Sequence, residues 1–201
     1  MNILLSGVGG QGILTLAELL GDAAILDGYE VRVSEVHGMA QRGGQVVCHV
    51  RFGKNVYSPL IIEGASDMLI SLEVLESLRA ARYLKHEGVV IINSLELPPP
   101  LAIIKGIKYP SINDAIKEFM KITKKIYVIN SMEIIKRNRL PAATINTIIL
   151  GSAWATGELG LSRDSLIKAM IRRFGEKWKD INIKAFEEGA KYLSETGVAK
   201  V

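Results

Sequence analysis

Apolar positions follow two rhythms along the chain. Residues 2–6, NILLS, form a short apolar run halted by glycine, the pattern of a buried strand. Ile13, Leu16, Ala17, Leu20 and Ala24 then recur at helical spacing through residues 12–26, and Gly28 ends that helix. YEVRVSEV at 29–36 alternates apolar with polar, as a strand does. So does QVVCHVRFG at 45–53, with Val46, Cys48 and Val50 on one face and Val47, His49 and Arg51 on the other. Further apolar strands are predicted at 67–72, 88–94 and 125–130. Helices are predicted at 73–84, where Glu76 and Arg79 can pair, and at 111–121, with Ser111 as cap and Asp114 in the first turn. Pro98, Pro99 and Pro100 rule out a regular ladder and begin an irregular stretch.

Beyond residue 130 the rhythm is helical. Pro141 suits the first turn of a long helix through AATINTIILGSAWATG, Ser162 caps 163–174, and Asn182 is the candidate cap of the last helix, 183–195. No repeat, low-complexity tract or linker divides the sequence. Strands alternating with helices predict one α/β domain over residues 1–201, Rossmann-like, with a mostly parallel sheet and a helical C-terminal part.

Composition narrows the function. With 201 residues, 48% hydrophobic and 23% charged, the chain is long and apolar enough for a sizeable core. No apolar run reaches bilayer length and no basic leader precedes an apolar segment, so a cytoplasmic protein is expected, without a membrane partner. The net charge of +4 is spread along the chain rather than gathered in one segment, which argues against a nucleic-acid partner. The single cysteine, Cys48, cannot form an internal disulfide or hold an iron–sulfur cluster. His37, His49 and His86 have no metal-binding spacing, so no metal site is expected on this chain. Abundant Lys, Glu and Ile with scarce Cys and Gln fit a heat-adapted protein.

Chemistry concentrates in two loops. Gly7, Gly9 and Gly12 satisfy G-x-G-x-x-G between a predicted strand and a predicted helix. The first glycine permits a tight turn, the second admits a phosphate close to the backbone, and the third lets helix and strand pack. Gly10 and Gln11 add a glycine and a polar side chain that the motif does not require. Glu35 stands where an acid binds a ribose hydroxyl in dinucleotide enzymes, so a free-standing NAD- or flavin-binding protein is one reading. A turn that binds nothing, in a purely structural module, is another. In the second loop, SEVHGMAQRGGQV at 34–46, Arg42 offers a fork for a phosphate or carboxylate. Met39 can adapt to a partner surface, and Gly43 and Gly44 permit close approach of another chain.

The pair GVGGQG at 7–12 and EVHGMAQRGGQVVCHVRFG at 35–53 resembles the gamma-type domain of the 2-oxoacid:ferredoxin oxidoreductases, and within that family the branch acting on indolepyruvate. The resemblance covers the chain in length and layout, with its specific part in the first ~55 residues, where the dinucleotide-like loops lie. It implies an accessory subunit, inactive alone, of an enzyme converting an aryl pyruvate, CoA and oxidised ferredoxin into aryl-acetyl-CoA, CO2 and reduced ferredoxin. Thiamine diphosphate, Mg and 4Fe-4S clusters are implied on a larger alpha subunit, with ferredoxin as the acceptor of the complex. No catalytic residue is expected here. Gly7, Gly9, Gly10, Gln11, Gly12 and Arg42 are the candidate contacts to a phosphate-bearing group, with CoA as candidate ligand. His37, Met39, Gln41, Gly43 and Gly44 are candidates for the partner contact or the active-site entrance. Trp154 and Trp178 read as core or interface packing, Cys48 as an inert core thiol, and the run 121–125, KITKK, as a solvated helix end rather than a ferredoxin dock.

Overall fold

A computed structural model of the protein describes residues 1–37, 43–98 and 100–199, with His37, Pro100 and Leu101 by backbone alone. Its central strand is β1 (Asn2–Val8). Ile3, Leu4 and Leu5 are all fully buried there, so both faces of the strand are covered, as in α/β sheets. The sheet has six strands. On one side of β1 lie β4 (Ser66–Ser71), β5 (Leu84–Asn93) and β6 (Ile126–Ile129), all parallel to it. On the other side β3 (Gln45–Gly53) runs antiparallel, and β2 (Glu30–His37) pairs with β3 as the edge strand. The sheet is thus mostly parallel, with an antiparallel hairpin on one flank.

One face packs against α1 (Ile13–Leu26), α6 (Ile145–Ala155), α7 (Arg163–Phe174) and α8 (Lys179–Thr196), around Ile3, Leu5, Leu16, Leu20, Ile149 and Phe186. The other packs against α2 (Val74–Ala80) and α4 (Ile112–Phe119), around Leu4, Leu69, Ile92 and Phe119. Each fully buried aliphatic or aromatic side chain contributes about 1.5–3 kcal/mol, which sets the scale on which polar details must compete. Because α1 follows β1 on one face and α2 follows β4 on the other, the C-terminal ends of β1 and β4 form the crevice where open α/β sheets usually take ligands.

Local sequence signals explain most boundaries. Ser111 and Asp114 form a complete capping box at α4, and Ser162 caps α7 through the Ser165 amide. Glu76 and Arg79 pair within α2 at 2.8 Å. Other expectations are corrected. The helix predicted at 73–84 stops at Ala80, passes through a 3-10 turn, and Leu84 already opens β5. Pro141 precedes a 3-10 turn, Ala142–Thr144, and α6 begins only at Ile145. Asn182 lies inside α8 rather than capping it. Its side chain is buried, donates to Trp178 O at 2.9 Å and accepts from Thr147 Oγ1 at 2.8 Å. His49, on the face of β3 that alternation leaves polar, is buried and accepts from the Ile61 amide at 3.1 Å. The chain at 54–62 covers that face, which periodicity within the strand does not reveal.

Candidate functional site

The glycine loop sits at the C-terminal end of β1 and leads directly into α1. Gly12 is the N-cap of α1, with φ 78 and ψ 31, and no side chain caps the helix. Among the described residues no side chain takes its N-terminal amides, so they and the positive end of its dipole are open to a ligand. Gly10 has φ 101, and a Cβ placed there would meet nothing within 4 Å. A cavity of about 280 Å3 opens at this point, lined by Val8, Gly9, Gly10, Gly12, Glu35 and Val46 among others. The fold therefore brings Glu35 to the glycine loop, although β3 stands between β1 and β2 where a dinucleotide fold sets the acidic strand beside the first.

The remaining residues of the motif serve the fold itself. A Cβ on Gly7 would approach Ile13 Cδ1 to 2.5 Å and Gln11 Oε1 to 2.8 Å, so Gly7 leaves room for these two side-chain ends between strand and helix. Gln11 spans the crevice. Its Oε1 accepts from the Val8 amide at 2.7 Å and its Nε2 donates to Leu72 O at 3.1 Å. Asn93 Nδ2 donates to the same Leu72 carbonyl at 3.2 Å, while Ser131 Oγ donates to Asn93 Oδ1 at 2.8 Å. Ser6 Oγ donates to Ser71 Oγ at 2.9 Å beneath them. The ends of β1, β4 and β5 are thus closed by the protein's own polar side chains, and among the described residues open space at the loop lies on its hairpin side. Gln11, a candidate ligand contact, braces that closure through these two bonds.

Asn146, in the first turn of α6, was not picked out by sequence reasoning. Its Nδ2 donates to Gln11 O at 3.1 Å and Gly12 O at 3.2 Å, fixing the loop from outside. Its Oδ1 is buried and has no hydrogen-bond partner among the described residues. The available signal was an asparagine in a mostly apolar helical run, INTIIL, where it disfavours helix unless it has a tertiary use.

The two loops meet. Gly9 N donates to Gly44 O at 2.8 Å and Gly43 N to Gly9 O at 3.3 Å. His37 closes β2, with its backbone paired to Val46. Gly38, Met39, Ala40, Gln41 and Arg42 lie outside the described residues, so Met39, Gln41 and Arg42 remain candidates on chemistry alone.

The iron–sulfur clusters, which the resemblance places on a larger subunit, find no ligands in the one thiol of this chain. Cys48 is fully buried, and burial, reinforced by the carboxylates of Glu35 and Glu18, pushes its thiol up to about 12. A lone protonated thiol does not ligate a cluster. Among the described residues no three His, Cys, Asp or Glu side chains gather to hold a metal ion. No helix among them is long and apolar enough to cross a membrane. In the run 121–125, Lys121 pairs with Glu118 and Lys125 with Glu158, which lowers its positive field, as its reading as a solvated end requires. Trp154 stacks near Phe186 with centroids 5.7 Å apart, in keeping with packing. Trp178 stands instead half-exposed beside Lys177.

The model of the family described as pyruvate ferredoxin/flavodoxin oxidoreductase matches residues 2–192. Indolepyruvate oxidoreductase subunit IorB of Thermococcus kodakarensis is 37% identical over 194 residues, 96% of each chain. The fold is also that of the gamma subunit of a keto/oxoacid ferredoxin oxidoreductase from Geobacter sulfurreducens. That structure has TM-score 0.70 and 22% identity, and the match covers 97% of this chain and 99% of the other. It recurs too in the 2-oxoglutarate:ferredoxin oxidoreductase of Magnetococcus marinus, solved with 2-oxoglutarate, coenzyme A and succinyl-CoA. There the TM-score is 0.73 and the identity 17%, and the whole of this chain corresponds to 32% of the longer one. These similarities set aside the free-standing NAD- or flavin-binding reading: the chain belongs to the pyruvate ferredoxin/flavodoxin oxidoreductase family.

Proposed function

We infer that this chain is the smaller, accessory subunit of a ferredoxin-dependent oxidoreductase that converts aryl pyruvates such as indolepyruvate to aryl-acetyl-CoA and CO2. The observation that carries this reading is the end-to-end identity with an indolepyruvate oxidoreductase subunit, 37% over 96% of both chains. Thiamine diphosphate, Mg and 4Fe-4S clusters belong to a larger subunit, and electrons leave one at a time to ferredoxin. The chemistry of this chain supports that division, because its one thiol is buried and protonated.

What this chain brings to the reaction is a place for coenzyme A. The bare first turn of α1, the open space at Gly10 and the cavity beside them suit a phosphate or diphosphate. Glu35 on the cavity wall opposes an anion, so the loop needs a counter-charge, and Arg42, next in sequence to the Gly43 and Gly44 that Gly9 binds, is the residue we assign to that role. His37, Met39 and Gln41, from the same stretch of sequence, are the residues we assign to contact with the larger subunit or to the entrance of its active site.

Two measurements test the two levels. Co-purification with an iron-containing partner, and indolepyruvate oxidation that needs both chains, test the subunit assignment; turnover by this chain alone overturns it. Calorimetric titration of the assembled complex with CoA tests the loop. Arg42→Ala and Gly10→Val are expected to weaken binding by about tenfold or more, as loss of a charge-assisted contact and a filled cavity require. Unchanged affinity in both removes CoA from this loop.

A further inference from the structure

The two edges of the sheet are finished differently. At one edge β6 is short, and Ala199 N donates to Ile126 O at 2.7 Å, so the C-terminal segment covers it. At the other edge β2 runs over Glu30–His37 with unbroken register and no proline. Its peptide groups alternate in direction. Met1 N donates to Phe52 O at 2.8 Å and Phe52 N to Met1 O at 3.0 Å, which turns the peptide groups of Val46, Cys48, Val50 and Phe52 toward β1. Their neighbours in β3 therefore bond Glu30, Arg32, Ser34 and Val36, and Val31, Val33 and Glu35 present N–H and C=O outward. Among the described residues, the group that meets this row is the exposed Arg32 side chain, on Val31 O at 2.9 Å. A long, open edge of this kind is a template for another strand. Apolar side chains crowd beside its first half: Ile25 is 59% exposed, Leu26 47%, and Tyr29 and Val33 38% each. A groove of about 580 Å3 runs there between Val31 and Val33 of β2 and Gly21 and Ile25 of α1.

We propose that two copies of this chain associate edge to edge through β2, as an antiparallel pair with its twofold axis at Val31. The strand is complementary to itself in that register and in no other. Successive side chains point to opposite faces, so a twofold pairing sets residues opposite each other only when their numbers differ by an even amount. Centres outside Val31–Glu35 leave only the last residues of the strand to pair. A centre at Arg32 or Glu35 sets like charges against each other, and one at Val33 or Ser34 sets a valine against Glu35. The centre at Val31 sets Glu30 against Arg32 twice, Tyr29 against Val33 twice, and Val31 against itself. It also gathers Ile25, Leu26, Tyr29 and Val33 of both copies around the axis, which removes their exposed apolar surface from water. Val31 N and Val33 N then donate to Val31 O and Tyr29 O of the other copy. Arg32 gives up an exposed bond to its neighbour's carbonyl and turns to Glu30 across the axis. Glu35 lies beyond the paired stretch, so the cavity at Gly10 stays open. The proposal does not depend on the subunit assignment.

The test is sedimentation velocity of the full chain over roughly 1–300 µM, where a dimer with a dissociation constant on the order of 10 µM is expected. Val31→Pro removes the central donor while leaving the bonds to β3, because that N–H points outward, and should weaken association about tenfold or more with an unchanged circular dichroism spectrum. Arg32→Glu and Glu30→Arg each set two like-charged pairs across the axis and should each weaken it about fivefold or more at low salt. Mixed in equal amounts, these two variants should associate again, since each copy supplies the charge that the other has lost. Ile103→Asp/Ile104→Asp, on the exposed α3 (Pro100–Ile104), serves as control and should dimerise like the wild type. A wild-type chain that stays monomeric throughout, a dimer indifferent to Val31→Pro, or a mixture of the charge variants that fails to associate overturns the proposal. A dimer broken by the control variant overturns it too, by placing the contact elsewhere. A dimer that comes apart when the larger subunit is added assigns the edge to that subunit and likewise overturns it.

Discussion

Glycine does two different jobs in two regions of this protein, and what a Cβ would meet separates them. Where α6 crosses α8, a Cβ on Gly151 would lie 1.9 Å from Phe186 O and one on Gly189 would lie 2.0 Å from Ile148 O. Both obstacles are backbone, and the helices touch without side chains between them. Ser152 Oγ fastens the crossing by donating to Gly189 O at 2.9 Å. In the loop at 7–12 the obstacles are side-chain ends, at Gly7 and Gly12, or nothing, at Gly10. The crossing has no room for anything but the protein. The loop keeps one open side. A glycine motif alone therefore does not report a ligand; the space beside each glycine does.

The largest effect is expected at the crossing. Gly151→Ala or Gly189→Ala must push two helix backbones apart, which places the cost at about 3 kcal/mol or more, the upper end for overpacking. Urea unfolding measures it. A cost below about 1 kcal/mol would mean that the helices slide apart freely, and the contrast with the loop would disappear.

That crossing also shows what the sequence conceals. Strand β1, strand β3 and the capped helices α4 and α7 were legible because their signals are local: alternation within one strand, or a serine three residues from its partner amide. Gly151 and Gly189 carry no such local signal, since what each meets lies on the other helix. The order of the sheet was hidden for the same reason. Alternation identifies β2 and β3 but is silent on β3 taking the place beside β1. Gln11 shows the converse: its position inside a phosphate motif suggests a ligand contact, while within the chain it bonds Val8 N and Leu72 O, the second 61 residues away. Asn146 reaches the loop from 134 and 135 residues away, and no spacing rule spans that distance.

Next in size is Gly12→Ala, where the loop comes nearest to behaving like the crossing. Its φ of 78 strains an L side chain by about 1–2 kcal/mol, and the new Cβ would sit 2.4 Å from Asn146 Nδ2. Displacing that amide gives up its bonds to Gln11 O and Gly12 O, for a total of about 2–3 kcal/mol. In an Asn146→Ala background the same substitution should cost only the strain. Equal costs in both backgrounds, measured as a double-mutant cycle, would show that Asn146 does not constrain the loop.

Gln11→Ala tests the brace and should cost about 2 kcal/mol, because the Val8 amide loses its acceptor while Leu72 O keeps Asn93. The effect belongs to the folded chain, so it should appear equally with and without CoA. A loss of CoA affinity with unchanged stability would restore Gln11 as a ligand contact and reopen the β1–β4 crevice as the site.

The smallest stability change is expected at Gly10, and it is the most informative about function. Alanine there meets no neighbour, so only the positive φ of 101 opposes it, at about 1 kcal/mol. The methyl group would nonetheless stand in the cavity that the bare end of α1 shares with Glu35. If that space receives a phosphate of CoA, Gly10→Ala should weaken CoA binding to the assembled complex several-fold. Gly189→Ala, assayed at a temperature where it stays folded, should leave that affinity unchanged. Equal CoA affinity in wild type and Gly10→Ala would leave the open side of the loop without a phosphate, and the loop would then be a turn like any other tight strand-to-helix connection.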